Sequence, residues 1–264
     1  MPSSTYYAAL FALVLGLPAL AQDKSKPLPK DVQLLIASAE KGDAKAQYEL
    51  GHRYDYGKGV KEDNKEAINW YRKAAEQDNP QAQYNLGLMY AYGEGIKMDA
   101  EEATNWLRKA ALQKYALSQN TLGDMYLSGR DVGKDIKEAA KWFRMAAEQN
   151  KPHAQFSLGV IYSRDEGGLK DDTQAVKWYR MAAEQGYAGA QVELGLMYHL
   201  GRGVAQDAVM AYAWDNVAGT NGYAVAKRNM NLLSRGMTGE QRAKAEALAK
   251  EMISKNPKLI RKKN

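Results

Sequence analysis

Five glycines, Gly51, Gly87, Gly123, Gly159 and Gly195, follow one another at intervals of 36 residues without a slip. Nineteen residues after each stands a tryptophan, Trp70, Trp106, Trp142, Trp178 and Trp214, and these are all 5 tryptophans of the chain. An aspartate holds a fixed place between them, at Asp63, Asp99, Asp135, Asp171 and Asp207. Three residue types in constant phase over five periods leave one architecture open, a stack of identical supersecondary units.

Each unit reads as two helices. The first carries Ala46, Leu50 and Tyr54 and their counterparts at helical spacing, which makes one apolar stripe. Gly51 falls inside that helix, where glycine costs about 1 kcal/mol relative to alanine. Its return in every unit predicts a steric reason, a neighbouring helix too close for a side chain. Pairs such as Gly57-Lys58-Gly59, Gly93-Glu94-Gly95 and Gly201-Arg202-Gly203 then supply the positive φ of a tight turn. The second helix opens with Asp63-x-x-Glu66 and its equivalents, which have the form of a capping box. Behind the cap, Ala67, Trp70, Tyr71, Ala74 and Ala75 form another stripe. In this reading the alanines admit the next unit and the tryptophan fills the space between layers, so that Trp106→Ala costs about 3–5 kcal/mol.

The unit resembles the Sel-1-like repeat, a relative of the tetratricopeptide repeat. The residues that carry the likeness are Ala46-Gln47-Tyr48-Glu49-Leu50-Gly51-His52-Arg53-Tyr54-Asp55-Tyr56-Gly57-Lys58-Gly59-Val60 and Asp63 to Ala75, repeated over about residues 31–230. The expected fold is all-α, a right-handed superhelical solenoid of helix-turn-helix repeats, with about five full 36-residue repeats and terminal half-repeats. Turns of the third unit (Gly129-Arg130-Asp131) and fourth unit (Asp165-Glu166-Gly167-Gly168) depart from the pattern and are expected to differ in shape. Leu34 takes the tryptophan place in an amino-terminal half-repeat, and Asn231 the glycine place in a final first helix. Thr238-x-x-Gln241 opens a last helix that covers the end of the stack, as solenoids require.

The remaining segments are read from composition. Ala8 to Ala21 is an apolar run of 14 residues, too short to span a membrane. It ends in Ala19-Leu20-Ala21, a small-x-small cleavage pattern, although no Lys or Arg precedes it. The expected organisation is a signal peptide at 1–21, a linker at 22–30, the solenoid at 31–237, a capping helix at 238–254 and a basic, solvated tail at 255–264. That organisation places the mature chain in the periplasm or outside the cell, with no stable membrane span and no nucleic-acid partner despite a net charge of +6. With no cysteine in the chain, disulfides and a lipidated amino terminus are excluded.

No catalytic constellation emerges, and neither a cofactor nor a metal is expected. The 3 histidines, His52, His153 and His199, fall at different phases of the repeat. Cysteine-rich relatives of this repeat have been linked to β-lactams, and Ser38-x-x-Lys41 and Ser118-x-Asn120 echo the corresponding motifs, but no K-T-G element accompanies them. The row Arg72, Arg108, Arg144 and Arg180 reads as a solvated ladder that shields aromatic rings, with recognition of an anionic partner as the alternative.

What varies between units is one stripe of the first helix, which scaffold packing leaves free. Its candidate contact residues are Glu49, His52 and Tyr56, then Asn85, Leu88 and Tyr92, then Thr121 and Asp124. The fourth unit adds Ser157 and Val160, and the fifth Glu193 and Leu196. Such variation is either surface drift or a contact groove, and the apolar members Leu88, Val160, Leu196 and Leu200 on one side favour the groove. The resemblance implies adaptor roles: a protein-binding scaffold that assembles envelope complexes, engages host proteins or neutralises a toxin in the periplasm. Peptidoglycan or a peptide is the second class of ligand, with Tyr56 and Tyr92 stacking on sugar rings.

Overall fold

The computed structural model describes residues 28–130 and 132–260. The leader, its cleavage site, most of the linker, Asp131 and the last four residues lie outside the described residues. Those described form an all-α solenoid of 13 α-helices and one 3-10 turn. After α1 (Lys30–Glu40) come five hairpins: α2 (Ala44–Tyr56) with α3 (Asn64–Glu76), and α4 (Pro80–Tyr92) with α5 (Ala100–Leu112). The stack continues through α6 (Ala116–Ser128) with α7 (Ile136–Ala147), α8 (Pro152–Ser163) with α9 (Asp172–Ala183), and α10 (Ala188–Leu200) with α11 (Ala208–Thr220). α12 (Ala224–Ser234), α13 (Gly239–Lys255) and the short turn Pro257–Leu259 close it.

The repeated glycine is explained inside the hairpin. A Cβ at Gly123 would lie 2.7 Å from the Phe143 ring, and one at Gly51 would lie 2.7 Å from the Tyr71 ring. What the glycine admits is therefore the residue after the tryptophan: Tyr71, Leu107, Phe143 and Tyr179, all wholly buried. This corrects the sequence reading. Trp142, Trp178 and Trp214 are buried, but Trp70 and Trp106 are only half-buried. The Trp106 indole N–H donates to Glu102 at 3.0 Å, and the Lys109 ammonium sits 4.0 Å from its ring centre. Trp106 faces outward, so the 3–5 kcal/mol belongs to its neighbouring column.

The aspartate column does cap the second helices, but only as half of a capping box. Asp63 Oδ1 accepts from the backbone N–H groups of Lys65 and Glu66. The Asp63 N–H, which a glutamate would take in a full box, donates instead to the Tyr54 carbonyl of the first helix at 2.9 Å. Asp99, Asp135, Asp171 and Asp207 bond likewise to Tyr90, Tyr126, Tyr162 and Tyr198, so the cap also ties the hairpin shut. Reciprocal bonds form only at the last helix, between Thr238 and Gln241.

Layers are joined by two polar ladders. The Arg72, Arg108 and Arg180 guanidiniums donate to the hydroxyls of Tyr90, Tyr126 and Tyr198 at 2.8–2.9 Å, and Arg144 pairs with Tyr162. The arginine row is thus a set of bolts, each running from one unit to the next. The second ladder is buried. Gln83 Nε2 donates to the Ala75 carbonyl at 3.0 Å, and its Oε1 accepts from Gln113 Nε2 at 2.8 Å. Gln47, Gln119, Gln155 and Gln191 repeat this arrangement, each binding the end of the previous second helix to both helices of its own unit. A buried amide that uses both its donor and its acceptor fixes the register of a layer, because a displaced layer would strand both groups.

The departures at the turns are unequal. α6 ends on Gly129 in the left-handed conformation shared by the other units, whereas α8 ends on Arg164 in an extended one. The carboxyl-terminal residues also differ from a solvated tail. Leu259 is buried, and its carbonyl accepts from Gln191 Nε2 at 2.9 Å and Asn221 Nδ2 at 2.7 Å. Asn256 donates to the Glu184 carbonyl at 3.0 Å. The strap fits because position 186 is glycine: a Cβ there would lie 2.5 Å from the Lys258 carbonyl. In the fifth layer Asn221 stands where earlier units have Gln77, Gln113, Gln149 and Gln185, and the shorter amide leaves room for Leu259. Among the described residues no helix is long and apolar enough to cross a membrane.

Candidate partner-binding face

The first helices α6, α8 and α10 touch across successive layers, and among the second helices α11 packs on the last helix α13. The outward side of the first helices forms one face of the stack. On it stand Tyr56 and Tyr92, 52% and 62% exposed, together with exposed Leu117, Leu196 and Leu200. Their positions follow from the helix: the constant columns Ala46, Gln47, Leu50 and Gly51 turn inward, which leaves the stripe three to four residues apart facing out.

At the amino-terminal end the predicted residues gather into an aromatic group. His52 stacks on Tyr56 with ring centres 4.6 Å apart and lies 6.3 Å from Tyr48, which in turn leans on the buried Tyr71 ring at 5.9 Å. Below them is Asp55, half-buried, accepting from the Tyr71 hydroxyl at 3.1 Å. Burial pushes its carboxyl above the usual range, opposed by that hydrogen bond and by His52. Glu49, exposed, pairs with Arg53 along the helix. Half-buried Asn85 approaches the Tyr71 hydroxyl, and half-buried Leu88 packs against the third layer.

Midway, Thr121 donates to the Leu117 carbonyl at 3.0 Å, and Asp124 faces His153 Nε2 at 3.8 Å. Burial raises the Asp124 carboxyl, with His153 opposing. Ser157 is a correction: it is only 6% exposed, because α8 is pressed between α6 and α10, and it offers nothing to a partner. Val160 is half-covered by the core of the fourth layer. At the far end Glu193 is half-buried, raised by burial and partly offset by Arg164 and Arg202. The stripe is thus interrupted at Ser157 and divided in character, tyrosine-rich at one end and leucine-bearing at the other.

Two sets of residues escaped the sequence reading. Tyr48, Asp55, Tyr84 and Tyr115 belong to the aromatic end, with Tyr84 and Tyr115 rings 5.4 Å apart. Tyr48, Asp55 and Tyr84 sit one step off the variable stripe and Tyr115 stands at the N-cap of α6, and the 17 tyrosines against 3 phenylalanines were the only hint. Asp215 is the other. It replaces the buried ring of the fifth unit, is held by Asn229 at 3.2 Å, and is pushed by burial up to about 7. Of the β-lactam-like motif serines, Ser118 is wholly buried with no hydrogen-bond partner, in the place of a packing alanine. Among the described residues no group of three His, Asp or Glu side chains is placed to hold a metal ion.

Helical hairpins of constant length, stacked in register and leaving one flank of variable side chains, define a repeat scaffold of the tetratricopeptide-like class. The chain belongs to the Sel1 repeat family, whose model matches residues 44–79, 80–115, 116–151, 152–187 and 188–214. It is similar to the crystal structure of c5321, a protective antigen of uropathogenic Escherichia coli with an SLR fold, at 38% identity and a TM-score of 0.75. That likeness covers 86% of this chain and 49% of the other. A Sel1 repeat protein from Oxalobacter formigenes is similar at 34% identity and a TM-score of 0.72, over 83% of this chain and 92% of that one. Over 65 residues, 25% of this chain, it is 43% identical to the secretory immunoglobulin A-binding protein EsiB of Escherichia coli O6:H1 strain CFT073. The match takes in 12% of EsiB, and the chain spans about half the length of c5321.

Proposed function

We propose that the chain is a non-enzymatic protein-binding scaffold of the cell envelope or extracellular space, which holds its partner on the first-helix face. The observation that carries this reading is a division of labour within each unit. The constant Gly, Gln, Arg, Asp and Tyr columns are consumed by packing and by the two ladders, whereas Tyr56, Tyr92, Leu117, Leu196 and Leu200 stand exposed on one flank with no role in the stack. Exposed apolar side chains grouped in this way are characteristic of contact surfaces. Family membership supports the same reading, and the envelope location rests on the apolar leader with its Ala19-Leu20-Ala21 site. Toxin neutralisation and engagement of a host protein are two forms the scaffold role can take.

Replacing Asn85 and Leu88 together by arginine tests it. The pair puts two charges in the middle of the face without touching either ladder. In a pull-down from the native envelope the variant is expected to lose the protein partner that the wild type retains. Because Asn85 lies near the Tyr71 hydroxyl and Leu88 packs on the third layer, the loss counts only where the variant keeps its helical spectrum and a cooperative melt. Retention of that partner overturns the assignment of the face. Intact protein binding with lost peptidoglycan retention favours a cell-wall ligand instead.

A further inference from the structure

Asp55 is out of place in the repeat. Its equivalents in the following units are Ala91, Leu127, Ser163 and His199, so the scaffold does not need a carboxylate there. Nor does the Tyr71 hydroxyl need a charge, since the equivalent Tyr179 hydroxyl is satisfied by neutral Ser163 at 3.0 Å. The carboxylate is half-buried against aromatic rings and has one hydrogen bond. Among the described residues no lysine or arginine comes within ion-pair distance of it. Arg53, the nearest in sequence, is taken by Asp31 at 2.8 Å and by Glu49. Partial desolvation of a charge with neither lysine nor arginine beside it is unfavourable, and a cation arriving with a partner would relieve it.

We propose that this end of the face is a subsite for a lysine or arginine side chain of the partner, received among the Tyr48, His52 and Tyr56 rings and paired with Asp55. The inference rests on the first-helix face being the contact surface. Tyrosine faces attract cations through the ring quadrupole. The chain already does this at the rim, where the Lys58 ammonium lies 5.3 Å from the Tyr56 ring centre. A neutral glycan would use the rings and leave the charge without purpose, and an acidic segment would be repelled. The occupant is therefore a basic stretch of protein.

Hexa-arginine, hexaglutamate and a neutral chitin oligosaccharide are the probes, titrated calorimetrically against the full mature chain. Asp55→Asn keeps an acceptor for the Tyr71 hydroxyl, so it removes the charge and leaves the fold. The wild type is expected to bind hexa-arginine and neither of the other two, and Asp55→Asn to weaken that binding by at least about tenfold at unchanged melting temperature. Glu40→Gln, which removes an exposed carboxylate from α1, is expected to leave it unchanged. Equal affinity in Asp55→Asn, or an equal loss in Glu40→Gln, overturns the proposal. A partner lost by the Asn85 and Leu88 double variant but fully kept by Asp55→Asn overturns the cation subsite alone and leaves the scaffold reading standing.

Discussion

Phe143→Ala is expected to destabilise the chain by about 3–5 kcal/mol, the range for emptying a wholly buried aromatic site. The ring lies in the slot opened by Gly123, beneath the first helix of its own unit, and belongs to the largest of the buried clusters. The His153 ring lies 6.1 Å from it, and the wholly buried Leu158 belongs to the same cluster. Trp106→Ala, by contrast, removes a ring that is half in water and whose N–H bonds a surface glutamate, and should cost well under that amount. Urea titration of both variants followed by circular dichroism makes the comparison. Equal losses would mean that the tryptophan column carries the layers as much as the one after it.

Gly203→Ala is the second large effect. Gly203 has φ +65°, and a Cβ there would overlap the Asp172 carbonyl at the start of the preceding unit's second helix. Left-handed backbone costs an L-residue about 1–2 kcal/mol, and forcing apart a packed contact about 1–3 kcal/mol. The joint is also where Arg202 grips Asp172 with two hydrogen bonds, at 2.6 and 3.1 Å, so separating the backbones loosens the fork as well. A total of about 2–5 kcal/mol corresponds to a fall in melting temperature of roughly 4–20 °C for a chain of this size. Gly42→Ala is the control. Its φ is +95° but nothing lies within 4 Å of the added carbon, so only the conformational part remains. Equal shifts in the two variants would show that contact between layers at the second turn glycine contributes nothing.

These expectations depend on features that were unevenly legible in the sequence. The period, the hairpin and the caps could be read directly, since Gly51, Asp63 and Trp70 each recur as one conspicuous residue type. The true core column could not, because Tyr71, Leu107, Phe143, Tyr179 and Asp215 share a phase but not a type. Gln47 and its equivalents recur as faithfully as the glycines, yet a polar residue on a helix reads as surface until both amide partners are seen. The docking of Leu259 lay beyond any periodic reading. It breaks the 36-residue phase, and the substitutions that allow it, Gly186 and Asn221, look like ordinary drift. On the face, Tyr56, Tyr92 and Leu196 are exposed as the spacing suggests, whereas Leu88 and Val160 are half-buried. The spacing failed at Ser157, where the approach of α6 and α10 decides.

A photo-reactive benzoylphenylalanine placed at Tyr92 on a first helix, or at Leu112 on a second helix, puts the choice of flank to a direct test. Both side chains are well exposed, 62% and 66%, so accessibility does not bias the outcome. Irradiation in the native envelope should give a covalent adduct to a protein partner from position 92 and none from position 112. An adduct from 112 alone would put the partner on the opposite flank and contradict the account.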